Sequence, residues 1–303
     1  MHGGGVTSEE SNYRLGFWFA LLAAAGFSGK AIFVKLAYGA APVDAVTLLA
    51  LRLLYSLPVF VWVALDAQRK GPPLTRRDWF VLGALGLLGY YGASILDFLG
   101  LQYITAGLER LILFTYPTLT VLIGVASMGK SLSRREVGAL LLSYAGIGLA
   151  FVHDLHVAGE PAAVILGGVL VFGSSLSYAF YLAGSASAIT RLGAMRFSAL
   201  ATIVSTGATV LHQALTQPIE AYLQPLPVHL YALGMALVST VMPVFAQSAA
   251  IARIGSSRSV MVGTVGPMLT IFFGWTILDE PVSLAQLTGA GLVLAGVLLV
   301  TRR

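Results

Sequence analysis

Apolar stretches of about 20 residues recur along this 303-residue chain, each long enough to cross the hydrocarbon core of a bilayer as a helix. Bounded by charges, Pro or Gly, ten of them run at about 15–37, 43–65, 79–101, 106–128, 136–152, 162–184, 195–215, 229–252, 257–278 and 284–301. The composition agrees: 57% of residues are hydrophobic and 10% charged, where soluble domains carry about 25% charged residues. Its 31 charged groups (18 Lys plus Arg, 13 Asp plus Glu) cannot cover a soluble surface of this size. The expected fold is therefore all-α and polytopic. The connections near 66–78 and 216–228 are too short for a catalytic domain. The tail over 1–14 is rich in Gly, Ser and Glu, which predicts disorder, and it lacks the charged start and short apolar core of a cleaved signal peptide. With no cysteine, disulfides, thiolate metal sites and cysteine nucleophiles are excluded.

The distribution of the net +5 charge matters more than its sum. Arg14, then Arg69, Lys70, Arg76 and Arg77, then Lys130, Arg134 and Arg135, then Arg191 and Arg196, then Arg253 and Arg258, and finally Arg302 and Arg303 all fall in one set of connections, 14 of the 18 positive residues. The opposite connections hold none, and carry Asp154, Glu160, Glu220, Asp279 and Glu280. Positive residues near span ends are retained in the cytoplasm, so both termini are expected there, in an inner, or plasma, membrane. The alternation through all ten spans supports the count of ten.

Sliding the chain by 150 residues lays Pro117 over Pro267, Leu119 over Leu269, Thr120 over Thr270, Gly124 over Gly274, Ser133 over Ser283 and Gly146 over Gly296, with TYPTLTVLIG above VGPMLTIFFG. The first copy is followed by Lys130, Arg134 and Arg135 and the second by Asp279, Glu280 and Pro281, as expected if these connections lie on opposite sides of a membrane. Five helices per unit force the second unit to insert upside down. Inverted repeats of this kind build secondary transporters, in which substrate sits near the midplane and the halves rock around it. The expected organisation is a tail over 1–14, a first unit over 15–152 and a second, inverted unit over 162–301.

Two such units, with Pro117 and Pro267 in the fourth helix of each and the ending LDEPVSLAQLTGAGLVLAGVLLV from Leu278 to Val300, resemble the EamA domains of the drug/metabolite transporter superfamily. The resemblance covers nearly the whole chain after about Leu15, and the Asp279-Glu280-Pro281 ending is its most specific part. The first copy departs from it, with Gly129-Lys130-Ser131 in that place. Among relatives the chain is most similar to YddG-type exporters of aromatic amino acids, which implies export of such a substrate.

Other motifs read as incidental. Gly124 to Ser131, GVASMGKS, satisfies the phosphate-loop pattern, but that loop works between a strand and a helix, and here it straddles the end of a span. His153-Asp154-x-His156 could suggest a metal site and reads instead as a solvated loop. No HExxH or GxSxG occurs, which argues against a membrane enzyme. Neither a cofactor, a metal nor a nucleic-acid partner is expected.

Ionisable residues inside spans are costly unless paired or wetted, and so mark function. The first unit holds Lys30, Lys35, Arg52, Asp97, Glu109 and Arg110. Lys35 and Arg110 lie near span ends and are expected to reach the surface along their own stems. Arg52 lies roughly 13 Å, and Lys30 roughly 10 Å, from the outer ends of their spans at 1.5 Å per residue. Four positive against two negative groups leave charge that a substrate carboxylate could match. A structural pairing of Arg52 with Asp97 or with helix carbonyls is the alternative.

Polar stripes at helical spacing mark faces turned away from lipid. Tyr90, Ser94 and Asp97 form one on the third helix, with Thr240, Pro243 and Gln247 as its partner in the second unit. Ser174, Tyr178, Tyr181 and Ser185 share a face of the sixth, and Thr115, Tyr116, Thr264 and Gly266 flank the two prolines. Ser198, Thr202, Ser205, Thr209 and His212 form a stripe on the seventh that is equally consistent with cavity or packing. Gly83, Gly86, Gly89 and Gly92, and Gly289, Gly291 and Gly296, are expected to permit close helix contact. The fifth and tenth helices lack a polar face and suit a scaffold or homodimer role.

The resulting expectation is a ten-helix carrier, embedded in lipid, that alternates access to a central cavity and exports small metabolites such as amino acids. Lys30, Arg52, Tyr90, Ser94, Asp97, Tyr116, Tyr178, Tyr181, Pro243 and Gln247 are the candidate substrate contacts, with Pro117 and Pro267 shaping mobile helices. Rivals are a multidrug or other metabolite (nucleoside, sugar-like) carrier of the same fold, and, from other classes, a channel or a membrane enzyme. A cation exporter would want a carboxylate in the first helix, where Lys30 and Lys35 stand instead.

Overall fold

The computed structural model describes residues 8–128, 133–157 and 160–301. Nine helices among them are long and apolar enough to cross a membrane: α1 (Asn12–Ala40), α2 (Ala45–Arg69), α3 (Arg76–Gly100), α4 (Ala106–Ser127), α5 (Arg134–His156), α6 (Pro161–Leu192), α7 (Ala194–Thr216), α8 (Leu226–Gly255) and α9 (Met261–Leu278). A shorter apolar helix, α10 (Leu284–Leu299), completes ten, and no strand occurs among the described residues. The protein is an all-α polytopic membrane protein. Helical backbone begins at Ser8, inside the tail expected to be disordered. Residues 1–7, the Gly129–Ser131 end of the phosphate-loop look-alike with its Lys130, and the terminal Arg302 and Arg303 lie outside the described residues.

Short polar residues start the helices where the chain turns. Asp44 accepts a hydrogen bond from the Thr47 N–H (2.9 Å) at α2. Thr75 and Asp78 cap each other's backbone N–H at α3, Ser133 and Glu136 do so at α5, and Ser283 and Gln286 at α10. Each such cap is worth about 1 kcal/mol.

Packing between the halves obeys the 150-residue repeat. Helix α1 packs on α8 as α6 packs on α3, α1 on α9 as α6 on α4, and α2 on α8 as α7 on α3, while α2–α7, α4–α9 and α5–α10 are self-symmetric pairs. Ten helices thus form two inverted five-helix repeats. Local irregularities repeat too. A π-helical turn spans Leu87–Gly92 in α3 and Leu237–Val241 in α8, and the helix breaks at Phe114-Thr115 in α4 and at Thr264-Val265 before the second proline. Proline explains the first break: without an N–H, Pro117 leaves the Leu113 carbonyl unmatched, and Ser175 on α6 donates to it (3.1 Å).

The expected glycine contacts divide. Gly146 and Gly289 face each other's carbonyl across α5–α10, and Gly296 lies against Ser143 and Ala139. Gly86 sits on the Ala201 backbone and Gly89 against the Tyr181 side chain, whereas a side chain at Gly83 or Gly291 would meet nothing within 4 Å. The α7 stripe is also settled. Thr202, Thr206 and Thr209 donate back to the carbonyls of Ser198, Thr202 and Ser205 (2.8 Å each), and Thr202, Ser205 and Thr209 are buried where α7 meets α2. The threonines of the stripe therefore serve packing, while Ser205 Oγ is left without a partner and His212 bonds Tyr91 (2.8 Å).

Candidate functional site

Two ends of the bundle are distinguished by charge. Connections α2–α3, α4–α5, α6–α7 and α8–α9 carry the positive residues of the basic end, and those between them form the acidic end. At the basic end Arg191 pairs with Asp78 (2.8 Å) and Arg196 donates to the Pro72 carbonyl (2.7 Å), so residues that read only as orientation signals also clamp the α2–α3 connection.

Between the ends, α1, α3 and α4 bring Lys30, Asp97 and Glu109 together. The Lys30 ammonium meets Asp97 Oδ2 at 2.5 Å and Glu109 Oε1 at 3.2 Å. Both carboxylates are buried, and their second oxygens, Asp97 Oδ1 and Glu109 Oε2, have no hydrogen-bond partner. One cation thus serves two anions in a place where an uncompensated charge costs several kcal/mol.

The remaining cations are left over. On α2, Arg52 donates through Nε to Thr240 Oγ1 (3.0 Å) and rests over the Phe98 ring (5.6 Å to the centroid), while its buried Nη1 finds no partner. Thr240 lies in the π turn of α8, and its hydroxyl donates to the Met235 carbonyl (3.0 Å), the group such a turn leaves free. Arg110 is the correction. Expected at the surface, it is 9% exposed, because α1 and α9 close over that part of α4. It stacks on Phe114 (5.2 Å) with Nε unpartnered. Among the described residues neither arginine has a carboxylate within ion-pair distance. The alternative pairing of Arg52 with Asp97 is not made among the described residues. Lys35 behaves as expected of a residue near a span end, half-open and paired with Glu280 (3.4 Å).

Tyrosines gather beside this charge. Tyr116 meets Tyr178 edge to face (5.1 Å), Tyr178 stacks on Tyr181 (5.4 Å), and Tyr181 meets Tyr90 edge to face (5.3 Å) with its hydroxyl donating to that of Tyr90 (3.3 Å). Three helices, α3, α4 and α6, supply these rings. Gly89 is required here, since a side chain on it would occupy the Tyr181 ring.

Of the residues singled out in the sequence, Lys30, Asp97 and Arg52 border one another, and Tyr90, Tyr116, Tyr178 and Tyr181 form one cluster. Ser94 is half-buried, and its hydroxyl makes no hydrogen bond among the described residues. Pro243 packs on Gly26. Gln247 lies apart, donating to Ser259 (3.0 Å). Pro117 and Pro267 each follow a helix break. Glu109 and Arg110, omitted from the candidate contacts, belong with the cluster, and adjacent opposite charges inside an apolar run were the signal. A cavity of about 390 Å³ opens instead at the acidic end, lined by Lys35, Tyr38, Pro42, Val43 and Gln102 among others. Asp154 accepts from Thr105 and Gln286 (3.3 Å each), and no cluster of three His, Asp or Glu suited to a metal occurs among the described residues.

Comparison with known proteins fits this arrangement. The EamA-like transporter family matches residues 14–152 and again 165–302. The uncharacterized transporter YcbK of Bacillus subtilis is 31% identical, the alignment covering 93% of this chain and 92% of YcbK. The uncharacterized transporter sll1319 of Synechocystis sp. is 26% identical over 81% of this chain and 76% of its own. A crystal structure of a protein 18% identical superposes with a TM-score of 0.62, covering 94% of this chain and 96% of that one, which shows a shared fold. Twice-matched, and built as two five-helix units that pack by one symmetry, the chain belongs to the EamA-like transporter family.

Proposed function

We propose that this transporter exports amino acids, aromatic ones included, by alternating access at the junction of its halves, with the basic end and both termini in the cytoplasm of a bacterial cell and the units near 15–152 and 162–301 rocking about the site. One observation carries the reading. Unpartnered polar atoms of both signs are buried side by side with a tyrosine cluster: Arg52 Nη1 and Arg110 Nε on one hand, Asp97 Oδ1 and Glu109 Oε2 on the other. A zwitterion presents a carboxylate to the first pair and an ammonium to the second, and buried polar groups gain most from a ligand that completes them. Tyr90, Tyr116, Tyr178 and Tyr181 suit a flat apolar side chain, through stacking and edge contacts. Ser94, Pro243 and Gln247 complete the proposed substrate contacts over the transport cycle.

The test is uptake into proteoliposomes of labelled phenylalanine, a nucleoside and a cationic dye, with and without a proton gradient. Saturable amino-acid uptake is expected, reduced in Tyr90→Ala and Tyr178→Ala. Wild-type transport in both variants, or preference for the dye, rejects the site.

A further inference from the structure

The α4–α9 seam is not the same at its two ends. At the acidic end the turns Ala106–Leu113 of α4 pack against Gly266–Leu278 of α9, with Ile271 against Gly107. The symmetry-related packing at the basic end, between Tyr116–Met128 and the helical turns over 256–263, is at most vestigial among the described residues. Phe180, at the position corresponding to Lys30, stays 46% exposed.

A specific set of groups holds the closed end. Asp279 takes a left-handed conformation (φ 53°), ending α9 with the Glu280 N–H on the Gly274 carbonyl (3.1 Å). That turn folds the Glu280 side chain back over Gly274, where a Cβ would come within 2.9 Å of Oε2. Both carboxylate oxygens accept from the Ala106 N–H at the start of α4 (3.0 Å), a place where helix dipoles favour negative charge. Lys35 adds a bond to the Ile104 carbonyl (2.7 Å) and its pairing with Glu280. Three helices, α1, α4 and α9, are thereby tied through one carboxylate. Shifted by 150 residues, Ser185 stands for Lys35 and Gly255 for the capping Thr105, so neither the lysine nor the cap hydroxyl is repeated at the basic end.

We propose that Glu280 is a latch that shuts the α4–α9 seam at the acidic end, and that the basic end, where neither the lysine nor the threonine cap is repeated and the seam is barely packed, is the open end of the resting carrier. Opening toward the acidic end then requires the Glu280 carboxylate to leave both the Ala106 N–H and Lys35. The proposal rests on the carrier reading but not on which substrate is carried.

Because the chain has no cysteine, single reporters can be read cleanly without substrate. Ile271→Cys, 5% exposed in the seam, reports the acidic end, and Val125→Cys the basic end. In Glu280→Gln and in Lys35→Met, maleimide labelling of the Ile271 reporter should rise about fivefold while that of Val125 falls, as a two-state population shift demands. Glu280→Asp should give an intermediate rate. A merely structural role for Glu280 predicts that both reporters label faster together, and that outcome, or unchanged labelling at Ile271 in a folded Lys35→Met protein, overturns the latch. Phenylalanine uptake in the same vesicles is read separately, so loss of the amino-acid assignment leaves the labelling result standing.

Discussion

The two halves of this transporter share a backbone and differ in chemistry. Where the first carries Lys30, Arg52, Asp97 and Glu109, the second carries Phe180, Thr202, Gln247 and Ser259. The carboxylates Asp97 and Glu109 meet an ammonium, while their counterparts Gln247 and Ser259 meet each other in a neutral hydrogen bond. Tyr178 and Tyr116 form a ring pair, where their counterparts form a hydrogen bond from Ser28 to the Gly266 carbonyl (3.0 Å). Helix packing, π turns and proline breaks are duplicated because each half must solve the same problem of burying backbone in lipid. Charge is not duplicated: Lys30, Asp97 and Glu109 form their cluster in the first half alone, as the proposed site, with one ligand between the halves, would require.

The sharpest way to break this comparison is to rewrite one half in the residues of the other. Lys30→Phe alone leaves two buried carboxylates without their cation, which should destabilise the protein by about 3–5 kcal/mol, measured by thermal unfolding in detergent. Adding Asp97→Gln and Glu109→Ser should restore most of that stability and still abolish transport. A triple variant that transports at the wild-type rate would show that the charged cluster is not the site. Next in size, Arg52→Thr installs the counterpart residue and removes a charge-assisted partner worth about 1.5–3 kcal/mol, so KM should rise about 10- to 100-fold. Tyr178→Ala loses ring contacts of about 0.5–1.5 kcal/mol each, and uptake should fall while Tyr178→Phe retains most of it. Ser175→Ala strips the Leu113 carbonyl of its donor and should lower stability by about 1 kcal/mol. Smallest of all, Thr202→Val, at the position corresponding to Arg52, should leave uptake unchanged, since that hydroxyl only bonds back to its own helix.

Much of the candidate cluster was legible. Lys30, Arg52 and Asp97 stood out because a charge within an apolar span has to be explained by a partner, and the α6 stripe placed Tyr178 and Tyr181 on one face because helical spacing sets facing directions. Arg110 was misread because distance along a helix from its end does not say whether a neighbouring helix covers that end. Gln247 was grouped with Asp97 by repeat position, yet the structure pairs it with Ser259, because position in a repeat transfers backbone and not chemistry. Arg191, Arg196 and the Ser198–His212 stripe showed their roles only once their neighbours were known.

Composition and order were enough for the all-α membrane fold, the ten apolar helices and the twofold repeat, since these follow from the length of apolar runs and the absence of water to pair the backbone. Which charges meet, which are left over, and which end of the α4–α9 seam is shut were decided by tertiary structure. Those depend on distances of a few ångströms between side chains far apart in the chain, such as Glu280 and Ala106, and no local pattern encodes them.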